Sequence, residues 1–215
     1  MTFPKWDKAL IVGAGPSLVR NLQEFRDSDW EGPLFATDRA LEICLKEGVI
    51  PEYVVTLEEE IANERYFKAD IIRDFGNMVQ GLYSIKTPMN VQKQMRKIGL
   101  REPSAVGTGT QIHTTSNCGL FIMMILSHDF KCNDVYMIGM DHSFARDTKF
   151  EDTHKECKYI ENPYDKVKYI AHPLHEHWKY NFIDRMGMYK EVKVTNCTGR
   201  GILFGGRIIW KDSIK

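Results

Sequence analysis

Gly13-Ala-Gly-Pro-Ser17 is the first stretch whose residue types suggest a chemistry. Glycines between a strand and a helix let backbone N–H groups approach a phosphate, and the helix N-terminus favours its negative charge. Gly13 and Gly15 supply that close approach, Pro16 suits a first helical turn, and Ser17 adds a hydroxyl. No Gly-Lys-Ser/Thr follows, so the segment is not a P-loop. Leu18 stands where a dinucleotide fingerprint has its third glycine. Asp38 lies about 20 residues further on, where a ribose-binding acid would sit. The alternative is that the glycines make a tight turn and nothing more.

Three other clusters qualify. Thr114-Thr-Ser-Asn-Cys-Gly119 heads an apolar segment. There Thr115, Ser116 and Asn117 act either as helix caps or as ligand contacts in the crevice of the glycine turn. Gly139-Met-Asp-His142 follows an apolar run. Asp141 in that position suits a metal ion, a ribose or a turn cap. His172, His175 and His177 have H-x-x-H-x-H spacing. On a helix the first two share a face while His177 lies well round it, and H-E-x-x-H is absent. A single histidine working as general acid or base near neutrality is therefore expected over a zinc site.

The elements that must carry these residues alternate. Lys8–Val12, Leu34–Thr37 and Tyr53–Leu57 read as buried strands, with helices over Leu18–Phe25 and Arg39–Lys46, the second capped by Asp38. Alternation of this kind predicts an α/β fold with a mainly parallel sheet. Further on, Glu58–Phe75 reads as a charged helix, Gln80–Ile85 as a strand and Pro88–Ile98 as a short helix. Glu102–Thr115 reads as a loop. Asn117–Phe130, apolar on nearly every face, reads as a buried helix. Asp134–Ile138 is the next strand, Ala145–Pro163 a polar flap, Pro173–Met188 a helix and Val192–Thr195 a last strand.

Composition narrows the class. The 215 residues carry 29 Lys+Arg and 29 Asp+Glu. A balanced chain lacks the basic footprint of sequence-independent nucleic-acid binding. The run Leu120–Leu126 is far short of the ~20 apolar residues of a membrane span. Met1–Lys8 has no apolar signal core, so a cytoplasmic protein is expected. Cys44, Cys118, Cys132, Cys157 and Cys197 have no C-x-x-C pair and read as reduced thiols. The length fits one domain over residues 1–215, with the flap at 145–163. Partners are expected to be small molecules, and a homo-oligomer is compatible with the sequence.

Ala9-Leu-Ile-Val-Gly-Ala-Gly-Pro-Ser-Leu18, Ala36-Thr-Asp38 and Gly48–Leu57 resemble the MptE-like family, as do Asn117–Leu120, Asp134–Asp141 and Val194–Gly199. That family includes archaeal 6-hydroxymethyl-7,8-dihydropterin diphosphokinases and bacterial motility accessory factors linked to flagellin glycosylation. A more distant resemblance is to bacterial sialyltransferases that use CMP-sialic acid. It implies a Rossmann-like, sialyltransferase-like three-layer domain and a nucleotide-dependent transferase using a CMP-sugar. Gly13, Gly15, Ser17, Asp38 and Ser116 would line the nucleotide. Tyr169-Ile-Ala-His172 is similar to the stretch with the catalytic histidine, which makes His172 the expected base. Phe144 and Phe150 stand where those enzymes use tyrosines to hold the leaving phosphate. Glu58 supplies the acid that the MptE-like family often has after its third strand. The alternative within the family is pyrophosphoryl transfer from ATP to a hydroxymethylpterin, with Mg²⁺ held by acids such as Asp141 or Glu58. No tightly bound metal is expected. An NAD-binding oxidoreductase and a non-catalytic nucleotide-binding module are the readings from other classes.

Overall fold

The structure is a computed structural model and describes residues 3–57, 61–107 and 117–215. The expected site residues Glu58, Thr115 and Ser116 lie outside the described residues. Strands β1 (Lys8–Val12), β2 (Leu34–Thr37), β3 (Tyr53–Thr56), β4 (Gln80–Ser84) and β5 (Arg101–Val106) follow in order along the first half. Helices α1 (Leu18–Arg26), α2 (Asp38–Lys46), α3 (Asp70–Phe75) and α4 (Met89–Lys97) alternate with them. Then come α5 (Cys118–His128), β6 (Asp134–Ile138), β7 (Lys158–Glu161), β8 (Lys168–Ala171), α6 (Pro173–Met188), β9 (Lys193–Asn196) and β10 (Ile208–Trp210). The expected α/β fold with a parallel sheet is present. Eight strands pair in the order β10-β9-β6-β1-β2-β3-β4-β5, all parallel, and β7 and β8 form a separate antiparallel hairpin.

Residue alternation sorts the core into two sides of the sheet. Ala9 and Ile11 join Phe35, Val55, Val135 and Met137 on the side of α5 and α6. Leu10 and Val12 join Leu34, Ala36 and Ile138 on the side of α1 and α2. Val54 faces a further cluster built from α2, α3 and α4. Period-two side chains produce this partition, and it requires apolar residues at consecutive positions, as in Ala9–Val12. Helix α5 is buried at every position from Gly119 to Leu126. It shares one core with the sheet and with Phe182 and Met186 of α6. That surrounds it with protein and accounts for its apolar circumference.

Several expected boundaries move. Residues 102–106 are not a loop but most of β5, an exposed sheet edge where Pro103 is tolerated because one side of the strand has no ladder to feed. Residues 61–75 form a 3₁₀ segment, Ile61–Phe67, and then α3, so one continuous helix is not made there. The expected flap contains a short 3₁₀ turn at Phe150–Asp152 and β7, whose partner β8 the sequence reading missed. β9 is not the last strand, because β10 adds to the sheet edge beyond it.

Candidate active site at the sheet switch point

β1 lies between β2 and β6. From β1 the chain builds outward through β2 to β5, and α5 then returns it to β6 on the other flank. The carboxyl ends of β1 and β6 therefore part around a crevice, where α/β sheets bind ligands. A cleft of about 270 Å³ lies there. Gly13 to Pro16 line it after β1, Thr37 to Arg39 after β2, and Asn117 to Gly119 at the head of α5. Gly139 to Ser143 line it after β6, and His175 and Trp178 from α6. A second cavity, of about 490 Å³, adjoins it and shares Pro16 and Asp141 with it.

The two glycines serve the protein's own backbone. Gly13 N–H donates to Ile138 O at 2.9 Å and Gly15 N–H to Gly139 O at 2.8 Å. A Cβ on Gly15 would fall 2.1 Å from Asp141 Oδ2, and one on Gly13 would fall 2.6 Å from Gly139 O. The loops after β1 and β6 thus touch main chain to main chain. Ser17 N–H and Oγ–H both point to Asp141 Oδ2, at 3.3 and 2.7 Å. The N-terminus of α1 is consequently occupied by a carboxylate, the charge a helix N-terminus favours. Ser17 itself is buried behind the cleft and does not line it.

Asp141 is 3% exposed and lines both cavities. Burial pushes its carboxyl above the usual 3.8, against the opposing pull of the Ser17 hydrogen bonds and the Arg20 charge. Ser17 Oγ also lies 2.9 Å from Asn21 Oδ1. One hydroxyl proton thus serves two acceptors, and the Ser17 hydrogen bond to the carboxylate is a shared one.

Asp38 is the first residue of α2, and Thr37 holds the cap position, so the expected Asp38 cap is displaced by one residue. Its Oδ2 accepts from Thr56 Oγ at 2.7 Å and its Oδ1 from Arg39 N–H at 2.8 Å. It ties the ends of β2 and β3 together while facing the cleft. Asn117 caps α5, its Oδ1 accepting from Leu120 N–H at 3.0 Å. The amide orientation is thereby set, and Nδ2 faces His142 Nε2 at 3.5 Å.

His172 caps α6. Its Nδ1 accepts from Leu174 N–H at 3.1 Å, and His175 Nδ1 accepts from His172 N–H at 3.3 Å. His172 lines neither cavity, whereas His175 lines the first. His177 is exposed and pairs with Asn181. With Nδ1 spent on the cap, the neutral ring of His172 carries its proton on Nε2 and has no free lone pair for a base.

The residue that sequence reasoning passed over is His142. It is buried, lines the cleft and has φ of +52°. Its Nδ1 is buried with no hydrogen-bond partner among the described residues. Burial, then the charges of His175 and Lys179, pull its pKa from 6.5 to about 3. The unfolded chain therefore binds one more proton between those values, and stability falls as the pH drops through them. Acidification from pH 7 to pH 5 is expected to remove about 2 kcal/mol through this group. His142→Asn tolerates the left-handed backbone and does not titrate. Urea unfolding at the two pH values should show that share of the loss absent in the variant.

Comparison with known proteins matches this architecture. The structure of MAf glycosyltransferase from Magnetospirillum magneticum AMB-1 superimposes with a TM-score of 0.76 at 13% identity. The alignment covers 98% of this chain and 34% of that one, so this chain spans about a third of its length. An uncharacterized protein of Treponema pallidum (strain Nichols) is 30% identical over 53 residues, 25% of either chain. The family described as 6-hydroxymethylpterin diphosphokinase MptE-like matches residues 2–147. That stretch contains the glycine turn, Asp38, Asn117 and Asp141, the residues that close the switch point, and the chain belongs to the MptE-like family.

Proposed function

We propose that this chain is a nucleotide-dependent transferase, a glycosyltransferase that draws on a CMP-sugar. The observation that carries the reading is the pair of adjoining cavities with Asp141 on their divide. Group transfer needs a donor site, an acceptor site and a proton acceptor between them. In this reading the nucleotide occupies the switch-point cleft. Its phosphate lies at the N-terminus of α5, where Cys118 and Gly119 line the cleft and the helix dipole favours negative charge. The α1 terminus is already filled by Asp141, which disfavours a dinucleotide pyrophosphate there and with it the oxidoreductase reading. Asp141 takes the proton of the acceptor hydroxyl, the freed oxygen attacks the anomeric carbon, and the nucleotide phosphate leaves with the bonding electrons. His172, the base implied by resemblance, would first have to release Leu174 N–H. The solved glycosyltransferase of the same fold adds weight.

The second reading, pyrophosphoryl transfer from ATP to a hydroxymethylpterin, is favoured by the description of the family. Trp178 on the cleft wall offers a face for a pterin. Thermal unfolding with CMP, CTP, ATP with and without Mg²⁺, NAD and a hydroxymethylpterin separates the two. A selective rise with CMP and CTP is expected, since a ligand held by the native state alone raises its midpoint. A rise confined to Mg²⁺-ATP and pterin would replace the first reading by the second.

A further inference from the structure

We propose that the second cavity is an anion site, built around Arg200 and Arg146, for a hydroxylated substrate bearing one carboxylate or phosphate. The identification of that substrate as the acceptor rests on the transferase reading; the anion site itself does not.

Arg200 is presented with unusual constraint. Gly199 and Gly201 on either side have φ of +66° and +83°. A Cβ on Gly199 would fall 2.1 Å from Asp212 O, and one on Gly201 would fall 2.1 Å from Asp141 O. Both flanks of the arginine are thus pressed against main chain in a conformation that side chains rarely adopt. Hydrogen bonds pin the same loop: Ile202 N–H donates to Asp141 O at 2.8 Å, and Asn162 Nδ2 to Gly201 O at 2.9 Å. Arg20 and Asn21 of α1 reach Thr198 O at 2.6 and 3.2 Å. The backbone that carries Arg200 is locked to Asp141, the residue dividing the two cavities.

The guanidinium groups themselves are unspent. Arg20, Arg26 and Arg73 each pair with a carboxylate. Arg146 and Arg200 line the cavity with no hydrogen bond or ion pair among the described residues. Asp141, also in the lining, is engaged by Ser17. Asp147 is an exposed rim carboxylate, suited to accept from a ligand hydroxyl and to discourage a second negative charge. Two arginine forks from different loops over one cavity match the planar geometry of a carboxylate or the oxygens of a phosphate. The approach of the two loops through Asp141 places such an anion beside the switch-point cleft.

The test uses glucuronate and glucose 6-phosphate as the two anionic probes and glucose as the neutral control. Each is titrated at constant ionic strength against ¹⁵N-labelled protein, following the arginine Nε–H resonances. Saturable shifts with one or both anions, and none with glucose, are expected; which anion binds tighter assigns carboxylate or phosphate. Arg200→Ala should weaken that binding at least about tenfold, Arg146→Ala should weaken it too, and Arg200→Lys should restore only part of it. The CMP-induced thermal shift should stay within about twofold in Arg200→Ala, so loss of the nucleotide reading and loss of this one are read separately. Absence of saturable anion binding in the parent protein overturns the proposal. So does undiminished binding in the Arg146→Ala/Arg200→Ala double variant, which would place the anion elsewhere.

Discussion

Asp141→Asn is expected to lower turnover about 10²–10⁴-fold, the range for loss of a general base, without unfolding the protein. The amide oxygen can accept from Ser17 as the carboxylate does, so the contact at 2.7 Å survives. The stability response should be opposite in sign to the activity response. A carboxyl whose folded pKa is raised contributes stability that is full below its ordinary 3.8 and is lost as the pH rises through the folded value. Near neutrality the ionised group is a burden on the fold, and asparagine escapes it. The melting temperature at pH 7.5 should therefore hold or rise, and the difference from the parent should shrink as the pH falls towards 4. His172→Ala should behave in the reverse way. It removes a helix cap, costs about 1 kcal/mol and changes turnover less than about tenfold. CMP release from a CMP-sugar and melting curves measure both quantities. A large loss of turnover in His172→Ala, with Asp141→Asn nearly normal, would move the base to His172.

What the sequence made legible follows from how local each signal is. The strands β1, β2, β3 and β6 are short apolar runs closed by glycine or acid, and a buried parallel strand leaves that trace in any context. Helix α5 was legible from its uniform apolarity for the same reason. Strand β5 was not, because Arg101, Glu102 and Ser104 are polar, Ala105 is exposed and Pro103 interrupts them. Its pairing with β4 is a tertiary fact with no periodic imprint. The switch-point residues Gly13, Asp38 and Asp141 could be assigned to one crevice from strand ends alone, whereas Asn117 at the head of a buried helix reads equally as a cap. Their hydrogen-bond partners could not. Nothing in Gly-Ala-Gly-Pro-Ser says that Ser17 will spend its hydroxyl on a carboxylate 124 residues away. His142 shows the limit most clearly. Beside Asp141 it looks like one more loop residue, and only the fold reveals a buried imidazole with positive φ and an unmatched nitrogen.

Gly15→Ala carries the largest expected effect on the fold. A methyl group there would sit 2.1 Å from Asp141 Oδ2 and 2.6 Å from Gly139 O, well inside van der Waals contact with both. Gly15 has no positive φ, so backbone preference plays no part and the cost is steric. Relief requires the β1 and β6 loops to separate, which breaks the 2.8 Å bond from Gly15 N–H to Gly139 O and strains the Ser17–Asp141 contact. Overpacking and a buried bond left unmade together are worth about 2–4 kcal/mol. A fall in melting temperature of about 10 °C is expected for a chain of this size. Gly187→Ala is the control. Gly187 lies in α6 with open space around it, and alanine there should stabilise the helix by up to about 1 kcal/mol. The double variant Gly15→Ala/Asp141→Ala separates the two clashes. Removing the carboxylate clears the contact at 2.1 Å but leaves the carbonyl of Gly139 in place. Destabilisation smaller than the sum of the single variants is expected, because both act on one contact. Strict additivity would mean that the two loops are not held together through this pair, and that the glycine serves the bound ligand instead.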